Sequence, residues 1–328
     1  MRIVNRLLCL VSLLVALLPS AVVAAWHEDT QAVMGTRVHV ELFVEDDERA
    51  VALLAAAMAE MHRIDRAFSS YRKDSELSRL NREAGAGWVD VSDEMLELLS
   101  RAQQISRLSS GAFDITYASV GRYYDYRGGR APDDATIEQA LKAIDYRYVE
   151  LDHENGRVRF RRPEVYVALG GIAKGHAVDR TIEILRHAGV TQASVSAGGD
   201  SRIIGDRRGQ PWTVGIQHPR EAGNMVALLP LQDTAVSTSG DYERYFEKDG
   251  TRFHHIIDPA TGRSADGAWS VTIVGPEATV TDGLSTSVFV LGPQKGLELI
   301  DRLPGIDAII VDPQGRLRFS AELAQLQP

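Results

Sequence analysis

Cysteine is nearly missing from this sequence: Cys9 is the only one in 328 residues, and it sits inside an apolar run near the start. The chain beyond that run therefore makes no disulfide and has no thiol nucleophile, thiolate ligand or redox pair, which suits an oxidising compartment. A basic surplus is missing too. The formal charge is -9, and taking away the leader described below, with its two arginines and no acid, lowers the remainder by two more units. That excludes the electrostatic footprint of a nucleic-acid binder. No Cys/His cluster has zinc spacing, no Gly-x-Ser-x-Gly elbow frames a serine, and neither a P-loop nor a Gly-x-Gly-x-x-Gly fingerprint occurs. Internal repeats and low-complexity tracts are absent as well.

What is present is ordinary globular composition, 44% hydrophobic and 25% charged, in a chain long enough for one large domain or two ordinary ones. The leader comes first. Arg2 and Arg6 precede an apolar run from Leu7 to Val23, then Ala24 and Ala25, then Trp26 and the charged His27-Glu28-Asp29. This is the pattern of a secretory signal peptide, with residues 1–25 removed and 26–328 left as one domain. The competing reading is an uncleaved anchor, since about 17 apolar residues is at the short end of what crosses a bilayer. Arg6-Leu7-Leu8 before Cys9 replaces the small residues of a lipoprotein signal, so no lipid anchor is expected. The expected location is the periplasm or cell envelope.

Strands and helices then mix without strict alternation, which predicts an α+β fold with helices packed on mixed sheets rather than a doubly wound Rossmann sheet. Val33 to Val44 alternates as a half-buried strand entered through Met34-Gly35-Thr36. Glu48 to Phe68 reads as a helix with a core stripe of Val51, Leu54, Met58, Met61 and Ile64. Asp74 or Ser75 caps a short helix ending near Asn81, and Ser92 opens another with Met95, Leu98, Leu99 and Ile105 on one face. Tyr123 to Gly129 reads as a surface loop, Thr136 and Gln139 form a capping box, and Tyr148 to Arg161 forms a hairpin around Glu154-Asn155-Gly156.

The stretch 165–200 organises the chain. Val165 to Leu169 favours a strand, Gly170-Gly171 a tight bare turn, and Val178, Ile182 and Leu185 recur at helical spacing up to Gly189. An anion at that turn would meet free N–H groups, a helix N-terminus and the charge of Lys174. A plain structural turn explains the glycines equally well. Later strands are expected at Trp212–Ile216, Met225–Leu231, Ala235–Ser237, Thr251–Pro259, Val271–Val274 and, as the closing one, Ala308–Val311. Helices are expected at Thr281–Val290 and Gln294–Leu303.

Two constellations could carry chemistry. Asp282 and Thr286 stand one helical turn apart and present a carboxylate and a hydroxyl on one face, a sparse hard-oxygen pair suited to magnesium. The plain alternative is a helix cap and a hydroxyl bonded back to a carbonyl. His254 and His255 are adjacent in an apparent strand, so they face opposite ways, and one of them can reach a site as base or hydrogen-bonding group.

In order along the chain stand Met34-Gly35-Thr36, Phe68-Ser69-x-Tyr71 with Asp74-Ser75-Glu76 and Asn81, and Gly111-Ala112-Phe113-Asp114. Leu169-Gly170-Gly171-Ile172-Ala173-Lys174-Gly175 and Thr238-Ser239-Gly240-Asp241-Tyr242 follow, then His255-Ile256-Ile257-Asp258-Pro259-x-Thr261-Gly262 and Asp282-x-x-x-Thr286. Together they resemble the ApbE family of FAD:protein FMN transferases, over about Val33 to Leu291. The resemblance implies an ApbE-type α+β fold and a magnesium-dependent enzyme. Such an enzyme cleaves FAD, moves FMN onto a threonine hydroxyl of a partner protein and releases AMP. It implies magnesium held by Asp282, Thr286 and the backbone of Gly171, and FAD contacts from Met34, Tyr71, Ala112, Phe113, Asp114, Lys174, Ile256 and Ile257. His255 is then an aid to the acceptor threonine, as base or positioner, and the expected acceptors are flavin-bearing subunits of membrane or envelope electron-transfer systems. One departure stands out: relatives often carry aspartate where this chain has Ala168. Hydrolysis of FAD to FMN and AMP, or flavin binding without catalysis, are the alternatives.

Overall fold

The computed structural model describes residues 25–325. Cys9, and all of the expected leader except Ala25, lie outside the described residues. The described chain begins with an antiparallel pair, β1 (Ala25–Val33) and β2 (Thr36–Val44), joined by Met34 and Gly35 at φ 55° and 71°. Positive φ at both central residues is the two-residue hairpin turn whose twist matches that of the strands. β1 was not expected as a strand: its Trp-His-Glu-Asp-Thr-Gln run is polar and half exposed, because it forms the sheet's edge.

Helices α1 (Asp47–Phe68), α2 (Glu76–Glu83) and α3 (Asp93–Leu108) follow, capped by the side chains of Asp46, Ser75 and Ser92. Met58, Met61 and Ile64 of α1 are buried as expected, each contributing about 1.5–3 kcal/mol. Val51 is not: it is 68% exposed, and Ala50, Leu53 and Ala57 take the inner face instead. The stripe is rotated because small alanines allow the helix to sit close to its neighbours. A three-stranded sheet, Val89–Asp90, Arg157–Phe160 and Val149–Asp152, closes one end, with Gly156 turning its hairpin at φ 66°. The helix at Asp134–Leu141 is capped by Asp133 rather than by Thr136, whose N–H donates to Asp133 Oδ1 at 2.8 Å.

Val165 to Leu169 is extended but joins no strand ladder. Its neighbour is a side chain: Asn81 accepts from Val167 N–H at 2.8 Å and donates to Val167 C=O at 2.9 Å. Ser119 Oγ takes the Tyr166 N–H and the Ile115 carbonyl takes that of Ala168. The buried backbone is thus satisfied without a sheet.

Helix α4 (Ala173–His187) buries Val178, Ile182 and Leu185 and ends at Gly189, left-handed at φ 80°. Then come β3 (Ala193–Ala197), β4 (Asp200–Ile204), β5 (Ala235–Gly240), β6 (Ser270–Gly275), α5 (Ala278–Ile300), β7 (Asp307–Val311) and β8 (Leu317–Phe319). α5 is two helices joined at Gly292 (φ 74°) and Pro293, and β8 rather than β7 closes the sheet. The eight strands lie in chain order from β1 to β8, every ladder antiparallel, so the sheet is one meander interrupted by long excursions. α1, α4 and α5 cover it, and the main core lies between them. This is the expected α+β fold, with antiparallel rather than mixed sheets.

Candidate active site

Three excursions bring their ends together at the N-terminus of α4. Glycine makes the approach possible. A Cβ on Gly175 would lie 2.1 Å from the Ala278 carbonyl oxygen and 2.9 Å from Asp282 Cβ, so only glycine lets α4 and α5 touch here. Through that contact the Gly175 N–H donates to Asp282 Oδ2 at 3.0 Å. Lys174, one residue earlier, ion-pairs with Asp200 and stands 3.6 Å from Asp282 Oδ1.

Thr286, one turn beyond Asp282, completes the cluster. Its hydroxyl lies 3.2 Å from where a Cβ on Gly171 would stand, and Phe113 packs at the same distance. Ser239 Oγ is 3.4 Å from Thr286 Oγ1 and 2.8 Å from Ser285 Oγ. Gly171, Asp282 and Thr286, expected to share a metal, are therefore neighbours. The donors are a carboxylate, a hydroxyl and backbone carbonyl, hard oxygen ligands that fit magnesium, and Lys174 shows that the carboxylates already accept a cation. No group of three or more His, Cys, Asp or Glu that could hold a metal occurs among the described residues.

The electrostatics follow from two buried carboxylates sharing one ammonium. Burial and the neighbouring Asp200 raise the Asp282 pKa, and Lys174 only partly offsets them. Burial works against the Lys174 charge as well, but Asp200 and Asp282 outweigh it and raise its pKa. Buried carboxylates held around one ammonium in this way are the arrangement that functional sites use to shift their pKa values.

His254 and His255 do face opposite ways. His254 Nε2 donates to the Ala265 carbonyl at 2.7 Å, and its ring stands edge-on to Phe289. His255 lies within the field of Arg244 and Lys174: burial first, then the positive charge of Arg244, push its pKa down to about 3, and its Nδ1 is buried without a partner. The strand expected over Thr251–Pro259 is broken between His254 and Ile257, which frees this side chain. Tyr117 forms another wall; its hydroxyl is 3.7 Å from a Cβ placed on Gly170, and burial pushes its pKa up to about 12.

The remaining expected FAD contacts are more scattered. Met34 occupies the hairpin turn, and Tyr71 is 87% exposed at the cleft mouth. Phe113 is buried, Ala112 precedes it on the same loop, and Ile256 enters the main core. Ile257 packs in a separate cluster with Val120, Tyr124 and Ile137, so Tyr124 is buried rather than part of a surface loop. Asp114 is occupied internally: Oδ1 accepts from the Thr116 N–H and hydroxyl, Oδ2 from the Tyr146 N–H. Burial nevertheless pushes its pKa up to about 6. Open grooves elsewhere, lined by Leu96, Arg101 and His153 or by Arg79 and Trp88, share no residue with the cleft.

Asp200 and Arg244 escaped sequence reasoning. Asp200 had a signal, since Ser196-Ala197-Gly198-Gly199-Asp200 repeats the glycine-pair theme and Gly198 turns at φ 65°.

The ApbE family model matches residues 34–310, almost all of the described chain. This chain belongs to the ApbE family. It is 34% identical to the FAD:protein FMN transferase of Treponema pallidum over 90% of this chain and 87% of that one. Against the Haemophilus influenzae FAD:protein FMN transferase it is 31% identical over 89% and 90%. The ApbE protein of Thermotoga maritima superposes with a TM-score of 0.84 at 36% identity, covering 93% of this chain and all of that one. The flavin transferase ApbE of Vibrio cholerae gives 0.82 at 27%, covering 92% and 99%. The ApbE fold thus places the two glycine turns, α4 and α5 around one cleft.

Proposed function

We propose that this chain is an FAD:protein FMN transferase that moves FMN from FAD to a threonine hydroxyl of a partner protein and releases AMP. The observation that carries this is the meeting of Gly171, Lys174, Asp282 and Thr286, with His255 within the field of Lys174, in a chain whose relatives are named for this transfer.

Asp282, Thr286 and the Gly171 backbone would hold magnesium, which supplies charge neutralisation on the FAD diphosphate. The threonine oxygen attacks the FMN phosphorus. The bond from that phosphorus to the bridging oxygen breaks, and the oxygen leaves with AMP. Neutral His255 stands to position the threonine hydroxyl or to take its proton, since burial keeps the imidazole unprotonated at neutral pH. Lys174 sits beside the cluster to offset charge on the phosphates, and Phe113 and Tyr117 shape the cleft wall.

Hydrolysis of FAD by the same site is the second reading, favoured by Ala168, where the family resemblance leads one to expect an aspartate that would contact the nucleotide. Residues 26–328 would act as one domain behind a cleaved leader, in the periplasm or cell envelope, on a flavin-bearing electron-transfer subunit. No helix among the described residues is long and apolar enough to cross a membrane.

The test incubates the purified protein with FAD, magnesium and a threonine-bearing acceptor domain. AMP release and acceptor-bound flavin fluorescence on a denaturing gel are then followed. A fluorescent acceptor supports transfer, AMP alone supports hydrolysis, and neither product overturns both.

A further inference from the structure

Three arginines gather near the base of the excursion between β5 and β6, two of them within it, and two of the three are neutralised within the fold. Arg220, arriving from the preceding hairpin, grips Asp241 with both nitrogens, at 2.7 and 2.6 Å. Arg252 pairs with Glu247 at 2.9 Å and lies 3.5 Å from Asp241. Arg244 has no carboxylate within ion-pair reach among the described residues. Its only side-chain hydrogen bond is a long one, Nη2 donating to the Gly35 carbonyl at 3.3 Å. A guanidinium has five N–H donors, so most of its capacity is unused.

Its position makes that capacity meaningful. The Arg244 carbonyl accepts from the His255 N–H at 3.1 Å, which ties Arg244 to that histidine. Five residues earlier in the same segment, Ser239 touches Thr286. On the other side the Met34-Gly35 turn meets the guanidinium, with Nη2 3.2 Å from a Cβ placed on Gly35. The Arg244 charge also weighs on Lys174, His255 and Tyr117, the groups that wall the cleft.

We propose that Arg244 is a substrate-binding residue that clamps the FAD diphosphate from the Met34-Gly35 side of the site. The assignment rests on the FAD-dependent function proposed above. Lys174 is shared between two carboxylates, so it cannot alone compensate an incoming diphosphate, whereas the free planar fork of Arg244 matches phosphate oxygens two at a time.

Binding of FAD, ADP and riboflavin to the purified protein, by calorimetry without magnesium, tests this in Arg244→Gln and Arg244→Lys. Loss of a charge-assisted phosphate contact predicts that Gln weakens FAD and ADP about ten- to a hundredfold and leaves riboflavin, which lacks the diphosphate, unchanged. Lys should recover part of the loss, and the salt dependence of FAD affinity should flatten in Gln. Unchanged FAD and ADP affinity overturns the proposal, as does an equal loss for riboflavin, which would place Arg244 at the flavin ring. A protein that binds FAD yet yields neither AMP nor a flavinylated acceptor removes the proposed function and leaves the variants to decide the clamp. Failure of the unaltered protein to bind FAD or ADP overturns both.

Discussion

α4 and β4 are joined by two charge pairs of opposite polarity. In one, Lys174 of the helix meets Asp200 of the strand; in the other, Asp179 of the helix meets Arg202 of the strand at 2.6 Å. Both pairs also engage α5. Asp179 accepts from the Ala278 N–H at 2.9 Å and from the Thr279 N–H and hydroxyl at 2.8 and 2.6 Å, capping that helix. Its charge is matched once by Arg202 and its lone pairs are filled by α5. The Lys174 pair receives instead a second carboxylate, Asp282, with nothing further to balance it. The same scaffold thus builds a saturated brace and, one and a half turns away, an unsaturated site. What separates structure from chemistry here is whether the charges cancel, since each pair sets a buried carboxylate against a half-buried cation.

The sharpest way to break this contrast is to remove Asp282. Asp282→Ala should lower magnesium-dependent AMP release by at least about a hundredfold, more than an outer-shell partner costs, while leaving Lys174 and Asp200 as a balanced pair. The unfolding temperature should stay or rise. Retained turnover would remove Asp282 from the metal site. Asp179→Ala should do the reverse: stranding Arg202 and uncapping α5 costs about 3–5 kcal/mol in denaturant unfolding, and FAD affinity below the transition should hold. A loss under about 1 kcal/mol would show that the brace carries no more than a surface pair.

A second saturated network extends the comparison to pH. Glu94 accepts from His176 at 2.9 Å and from both Arg63 nitrogens, and these bonds, that from His176 foremost, pull its pKa down to about 2. Its stabilising contribution is therefore complete above the ordinary glutamate pKa and is lost as pH falls from there through about 2. Acid titration of unfolding should lose part of that slope in Glu94→Gln; an unchanged curve would contradict the pairing. Smaller still, Ala168→Asp should tighten FAD a few-fold if the missing carboxylate accepts a hydrogen bond from the nucleotide, read by calorimetry, and weaker binding would show adaptation around alanine. For His255 the expected effect is none: with its pKa near 3, kcat/KM carries no inflection from it between about pH 5 and 8. An inflection there that vanishes in His255→Gln would show a protonated imidazole.

The sequence disclosed what is local. Apolar periodicity located the long helices, Ser92 fixed one start, the Asp74-Ser75 pair bracketed another, and Gly189 marked an end, because each depends on neighbours within a turn. Asp282 and Thr286 were legible for the same reason. Edge strands were not: β1 is a largely polar run and β8 only three residues, so neither shows the apolar alternation that marks a strand. Val165 to Leu169 was misread as a ladder strand because its partner is the amide of Asn81, eighty-six residues back. Asp200 meets Lys174, and Arg244 meets the Met34-Gly35 turn, only in the folded chain, contacts that no window of sequence contains.

The chain-ordered sheet has one more consequence, for the time course of folding. β1 and β2 can pair as soon as they exist, but Val38 must wait for Ala197, and Gly171 must wait for Thr286. Long loop closures of this kind are slow, and the cleft is the point where the last of them converge. Nucleotide capture would then serve as a clock for that convergence, registering the protein only once α4 and α5 have met across the sheet.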